Sequence, residues 1–468
     1  MGFTCDVFGD KSLKVRGGSG LFLGRFPLVY LTNMPQNAAM FQFNYAAGYT
    51  ATGKAAENLE RTTPIDVDAK LQGLAGKLLG VNDLKNYFEV PLTNADHVDA
   101  KSMTGVSNDF KMPQVWKSSI AIDYQLPVSF PFTVTGEFIY NKSINAVYMD
   151  NINIKDDDPS SMQHFNGADS RIKYTSNDFY YTPNNSYYAV MLKNTSKGYG
   201  YTANITLNAE PVKNLKLMAA YTRTESQEVS GLPGQNAVST WTSTLSAEGP
   251  NSTKLHRSNY VTPDQVMASV NYYIPAKVSS SFLLGTHVSL FYKAYSAGNL
   301  SFFYSNDMNG DGVSMDLMYI PANDNEIQFK SEADRVAFWR FVEQDDYLSS
   351  HKGQYAEAYA ARAPWLHRID LHLAEDFQLT IGKTKHKLQA SLDLINLGNL
   401  INSEWGVPKI AQVCNYGQIL KYEGVDATNT PIFSMNKVNG KYPTQTWDTS
   451  MSYSNCWKMQ IGLKYFFN

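Results

Sequence analysis

The feature that most constrains this chain is strict alternation of apolar and polar residues over ten or so positions, repeated along its length. Trp116, Ser118, Ile120, Ile122, Tyr124 and Leu126 fall on one face, and Lys117, Ser119, Ala121, Asp123 and Gln125 on the other. Phe132, Val134, Gly136, Phe138 and Tyr140 repeat the pattern opposite Thr133, Thr135 and Glu137. Tyr201 to Ala209, Leu215 to Tyr221, Val266 to Ile274, Val288 to Tyr292, Ile369 to Leu373 and Leu388 to Leu394 follow it too. The last instance sets Trp457, Met459, Ile461, Leu463, Tyr465 and Phe467 against Lys458, Gln460, Gly462 and Lys464. A period of two is that of a strand, whose successive side chains point to opposite faces, and it excludes amphipathic helices as the main element.

The connectors add a second constraint. Short ones at 126–131, 210–214 and 382–385 join strands into pairs, and long polar stretches at about 50–114, 155–185, 225–262, 306–365 and 424–455 separate the pairs. Short turns at one end and long loops at the other are the pattern of a transmembrane β-barrel, whose apolar face meets lipid and whose polar face lines the interior. A soluble sandwich also alternates, but its strands average about 5–6 residues and its loops are shorter. The sequence therefore predicts an all-β fold, a transmembrane antiparallel β-barrel of about fourteen strands with long extracellular loops, in one region over residues 1–468. Tyr and Phe number 30 and 24. Trp116, Tyr124, Tyr140, Tyr201, Tyr221 and Tyr465 stand at strand ends, where aromatic girdles form. The polar faces offer Asp123, Glu137, Arg368, Asp370, His372 and Asp393 as lumen-facing candidates. One helix is expected in the loop 306–365, where Ser331 and Asp334 start the segment Arg335 to Asp346.

Composition narrows the function. Lys plus Arg is 40 and Asp plus Glu is 43, so no basic footprint for a nucleic acid exists. No apolar run of about 18 residues could form a membrane-spanning helix. Three cysteines are too few for a disulfide scaffold; Cys414 and Cys456 could pair or stay free. The chain begins MGFTCDVFGD, with neither basic nor apolar leader segment. Either it is not exported or a front part is missing.

Enzyme signatures are missing as well. Eight scattered histidines give no H-E-x-x-H spacing, and no G-x-S-x-G or phosphate-cradling loop occurs. The expectation is a protein that is not an enzyme. The sharpest chemical candidate is Asp307-x-Asn309-x-Asp311-Gly312-x-Ser314-x-Asp316, whose alternate oxygens suit calcium. Met318 stands where an EF-hand needs Glu, and the same residues also build a tight Asx-rich turn. Asp156, Asp157 and Asp158 read as a solvated loop tip. Tyr180, Tyr181, Tyr187, Tyr188, Trp241 and Trp365 could stack on a sugar or peptide, or simply pack within the loops.

Several stretches in order carry a family resemblance. They are Arg16-Gly17-Gly18-x-Gly20-x-Phe22-x-Gly24-Arg25-x-Pro27, Tyr304 to Gly312 followed by Asp316-Leu317-Met318-Tyr319-Ile320-Pro321, Ala361-Arg362-Ala363-Pro364-Trp365 leading to Arg368-Ile369-Asp370-Leu371 and Asp376-Phe377, and Asp393 to Asn399. The close, Leu463-Lys464-Tyr465-Phe466-Phe467, is like a C-terminal insertion strand, though Asn468 follows the aromatic. Together they resemble the Oar-like TonB-dependent outer-membrane receptors of Bacteroidetes type. The resemblance implies a barrel of about 22 strands with an N-terminal plug, a TonB-contacting box and uptake of a bulky nutrient. Neither plug nor box is visible, and residues 11–27 look like mid-barrel. The chain therefore looks like the C-terminal part of such a receptor. The implied partners are outer-membrane lipid, the TonB system, and the missing N-terminal plug and strands. Alternatively, Lys11–Leu23 pairs with Trp457–Phe467, and the chain closes alone as a porin-like passive channel. A soluble β-rich adhesin or sugar-binding protein is the third reading.

Overall fold

The computed structural model describes residues 1–31, 34, 102–155, 159–181 and 188–467. These build one 14-stranded sheet, in which eleven strands follow one another antiparallel in chain order. They are β1 (Gly2–Asp6), β2 (Leu13–Leu23), β3 (Gln114–Gln125), β4 (Phe132–Asn151), β5 (Tyr199–Val212), β6 (Leu215–Glu228), β7 (Asp264–Lys277), β8 (Phe282–Ser296), β9 (Trp365–Ile381), β10 (Thr384–Ile395) and β11 (Lys458–Phe467). Three short strands, Ser102–Val106, Tyr188–Thr195 and His256–Arg257, join off this path.

The registers show what the alternation does. One cross-strand row runs Leu13, Tyr124, Val134, Leu207, Ala219, Ala268, Tyr292 and Ile369, apolar across eight strands. The next row, on the other face, runs Lys14, Asp123, Thr135, Thr206, Ala220, Met267, Lys293 and Arg368. The apolar face is the uncovered one: Ile122, Ile205, Val270, Leu379 and Ile461 are all exposed. Exposed apolar rows of this extent have no place against water, and hydrocarbon is the solvent they fit. No helix among the described residues is long and apolar enough to cross a membrane.

Tight connections at 7–12, 126–131, 213–214, 278–281 and 382–383 lie at one end of the sheet. The 213–214 turn closes on Asn214 at φ +66°, a left-handed position that Asn tolerates well. The long connections run over 24–113, 152–198, 229–263, 297–364 and 396–457 at the other end. The expected stretch at 424–455 thus begins near 396, where Asn396 turns left-handed (φ 58°) and stops β10. The stretch expected at 50–114 lies largely outside the described residues. β4, with 20 residues, is roughly 65 Å long at about 3.3 Å per residue, well over the ~30 Å hydrocarbon core. Its outer end, Ala146 to Asn151, leaves the sheet path and pairs with Tyr188–Thr195.

The loops are a folded body of their own. One core gathers Phe302, Phe338, Phe341, Leu348, Cys414 and Ile419, all fully buried. A second gathers Trp241, Val190, Leu192, Val147 and Phe26. The expected helix is present as α2 (Glu332–Gln344), with Ser331 capping the Asp334 amide, after the shorter α1 (Ala237–Thr242). Cys414 and Cys456 are both free.

β1 and β11 each have one neighbour among the described residues. β2 lies between β1 and β3, so the alternative pairing of Lys11–Leu23 with Trp457–Phe467 is not made.

Candidate functional site

Two sets of polar residues stand out, the inner wall of the sheet and the loop body above it. On the wall, Arg16 Nε lies 3.2 Å from Asp123, which also accepts from Thr135 Oγ1, and Arg16 Nη1 lies 3.6 Å from Glu137. On the same face toward the other side of the sheet, His372 Nδ1 is 2.6 Å from Asp393, and Asp370 accepts the Asn396 amide at 2.7 Å. Arg368 shares this face, and its Nε is buried without a hydrogen-bond partner among the described residues. Asp376, which the alternation did not single out, collects His287, Lys387 and Gln389 within 3.2 Å. Hollows of about 430 and 360 Å³ lie on this wall, the first beside Arg16 and Glu137 and the second beside Asn208, Lys216 and Asn271. The six wall residues do not converge on one point. Asp123 and Glu137 share Arg16, His372 meets Asp393, and Asp370 holds a backbone amide, so the wall is a spread of small polar contacts on a partly exposed surface.

The loop body has a charged centre. Arg171 is fully buried and forks onto Asp169, with Nε 2.8 Å from Oδ1 and Nη2 3.0 Å from Oδ2. It also donates to the Leu317 carbonyl at 2.6 Å, meets Asp316 at 3.4 Å, and lies against the rings of Tyr304 and Tyr355. Asp169 accepts from both tyrosine hydroxyls. The segments 159–181 and 297–364 are thereby joined through one guanidinium. Nothing in the sequence marks it, because its partner Asp316 is 145 residues away.

The Asp/Asn segment lies beside this centre. Asp307 accepts the amides of Gly310 and Gly312, Asn309 that of Asp311, Asp311 that of Val313, and Asp316 that of Met308. Gly310 has φ +84°, and a Cβ there would sit 2.6 Å from the Tyr174 carbonyl, so only glycine fits. The side-chain oxygens thus face amides and Arg171. Among the described residues no three of His, Cys, Asp or Glu are gathered as a metal site, and the alternate oxygens of this segment hold backbone amides. What it builds is a rigid turn.

Burial leaves that turn sensitive to pH. It pushes Asp316 up to about 7 from the usual 3.8, against the pull of Arg171. Burial, Asp316 and Asp307 raise Asp311 as well. A carboxyl raised in the folded state holds its proton there, so its contribution to stability is full below 3.8 and is lost as pH rises through about 7. Amide exchange over 308–317, corrected for intrinsic rates, should therefore be slower at pH 5 than at pH 8. Equal or better protection at pH 8 would refute this.

The aromatic candidates divide. Trp241 is fully buried, its Nε1 bonded to Asn251, so it packs the second core and cannot stack on a ligand. Tyr188 packs on Trp241 and donates to the Gly312 carbonyl. Tyr180, Tyr181 and Trp365 are exposed. Tyr187 and Asp156–Asp158 lie outside the described residues.

Residues 1–428 match the model of a family described as an outer membrane beta barrel domain. A solved structure of the outer membrane transporter YddB from Escherichia coli is similar at 8% identity and a TM-score of 0.39, over 99% of this chain. The chain spans 40% of that transporter's length. No curated protein sequence matches it.

Proposed function

The chain belongs to the outer membrane β-barrel domain family, and from that premise we propose that it is the barrel-forming C-terminal part of a TonB-dependent receptor that imports a bulky nutrient. Its place is the outer membrane, and in this reading the apolar rows face lipid and the long loops face outward. The observation that carries the proposal is the pair of sheet edges, β1 and β11, without a second neighbour among the described residues. In hydrocarbon each unpaired backbone group costs several kcal/mol, so open edges do not persist there. Further strands of the same polypeptide, continuing the sheet into a larger barrel, would cover both. The Oar-like stretches from Arg16 to Phe467 support the same reading, as does a polar, partly exposed wall opposite the apolar face. The chain acts in this reading by passage and capture, not by catalysis.

The test is the intact mass and N-terminus of the native protein from the outer-membrane fraction, joined to an uptake assay. A polypeptide well above 52.4 kDa with these residues as its later part is expected. Uptake that stops when TonB is deleted is expected with it. A mass near 52.4 kDa and a leak that survives loss of TonB would replace the proposal with the passive channel.

A further inference from the structure

A cleft of about 410 Å³ opens at the loop end of β9, on the lipid side of the sheet. Trp365, His367 and Ile369 line one wall. All three share the parity of Leu371 and Leu373, which pair with Leu394 and Leu392 on the apolar face. Glu404, Trp405 and Lys409 line the other wall, carried by the segment that follows α3 (Leu397–Ile401). This segment touches β9 from outside the polar wall. The rings of Trp365, His367 and Tyr292 stack in series at 6.3 and 6.2 Å, and the Tyr292 hydroxyl lies 2.8 Å from His367 Nδ1.

The surroundings are apolar and bare. Ile401 is 71% exposed and Trp405 56%, and Met451 and Tyr453 are still more open. Asn396 ties this patch together by donating to the Gly406 and Asn455 carbonyls. Indoles beside a band of aliphatic rows mark the depth where headgroups meet acyl chains. The cleft is thus continuous with the lipid-facing wall, and lipid is the occupant its position allows. Its polar groups are specific. Lys409 Nζ, 2.5 Å from Thr449 Oγ1, can still donate to an anionic group, and Glu404 can accept from hydroxyls. Indole faces with hydroxyl acceptors suit sugar rings better than a phosphoglycerol headgroup.

We propose that this cleft is a binding site for an outer-leaflet glycolipid, with a sugar of its headgroup between Trp365 and Trp405 and an acyl chain running down Ile369 and Leu371. Lys409 meets its anionic substituent. The bound lipid would cover the apolar skirt of Ile401 and Met451.

The test uses the native protein purified from outer membranes, with diphosphoryl lipid A and phosphatidylglycerol as competing probes and retained lipid counted by mass spectrometry. Wild type should retain lipid A in preference, and Trp405→Ala should weaken retention about tenfold, the worth of roughly one well-packed contact. Tyr180→Ala, on an exposed loop aromatic, should retain it fully. If Trp405→Ala does not fold, Glu404→Gln combined with Lys409→Gln is the variant to read, with the same loss expected. Equal retention of the two lipids, or undiminished retention in the folded variants, would overturn the proposal. So would equal competition by the lipid-free phosphorylated glucosamine disaccharide, which would make this a site for a free glycan.

Discussion

Arg171→Ala is expected to open the loop body while leaving the sheet inserted. The guanidinium is fully buried and answers two carboxylates, Asp169 and Asp316. Removing it leaves both acids without their cation in a place water does not reach. Breaking a buried pair in this way costs about 3–5 kcal/mol, far more than the pair contributes over a neutral packing of the same shape. Limited proteolysis should cut within 159–181 and 306–357 in the variant and spare the wild type. An unboiled denaturing gel should show the same heat-modifiable band for both, because no strand of the ladder contributes to this centre. Loop cleavage indistinguishable from wild type would mean that the two cores hold the segments without it. Arg171→Met with Asp169→Asn and Asp316→Asn should recover much of the resistance, since no charge is then stranded.

The second large effect belongs to the apolar face. Leu373 lies between Val288 and Leu392, with Leu371 beside it along the strand. Leu373→Arg should destabilise folding into vesicles by about 2–4 kcal/mol if it lies near the bilayer midplane. Ser289→Arg, on β8 directly opposite His372 on the polar wall, should cost far less. Urea titration of vesicle-inserted protein measures both. Equal losses would mean that the two faces do not see different solvents.

Both expectations separate what was legible in the sequence from what was not. The through-strands were legible because a pleated strand alternates and a lipid-facing row must be apolar at every second position. Asp123 and Arg368 could be assigned to one face for the same reason, and the register places them in one row six strands apart. The helix at Ser331 was legible from its cap. The loop cores were not. Phe302, Trp241 and Cys414 carry no period, and the partners that bury them come from other loops. Trp241 therefore reads in the sequence as an aromatic that could stack or pack, and nothing there marks Arg171. The Asp307–Asp316 spacing fits oxygens around a cation or amides around a turn. Only the positions of the Gly310, Gly312 and Met308 amides separate the two. The count of about fourteen strands matches the whole sheet, yet three of those strands belong to the loop end and not to the eleven-strand ladder.

The loop body also fixes an order of events. Its joins are remote along the chain: Asn429 holds the His164 carbonyl across 265 residues, and Asn306 and Tyr422 bond across 116. Contacts so distant in sequence form late, since the chain between them must first be placed. Here that intervening chain crosses the bilayer several times, as β5 to β10. The outer body can therefore fasten only after those strands have delivered both partners to the same side. A nascent barrel stalled before β10 would display 159–181 as an unfinished surface, open to surface proteases until the last hairpins arrive.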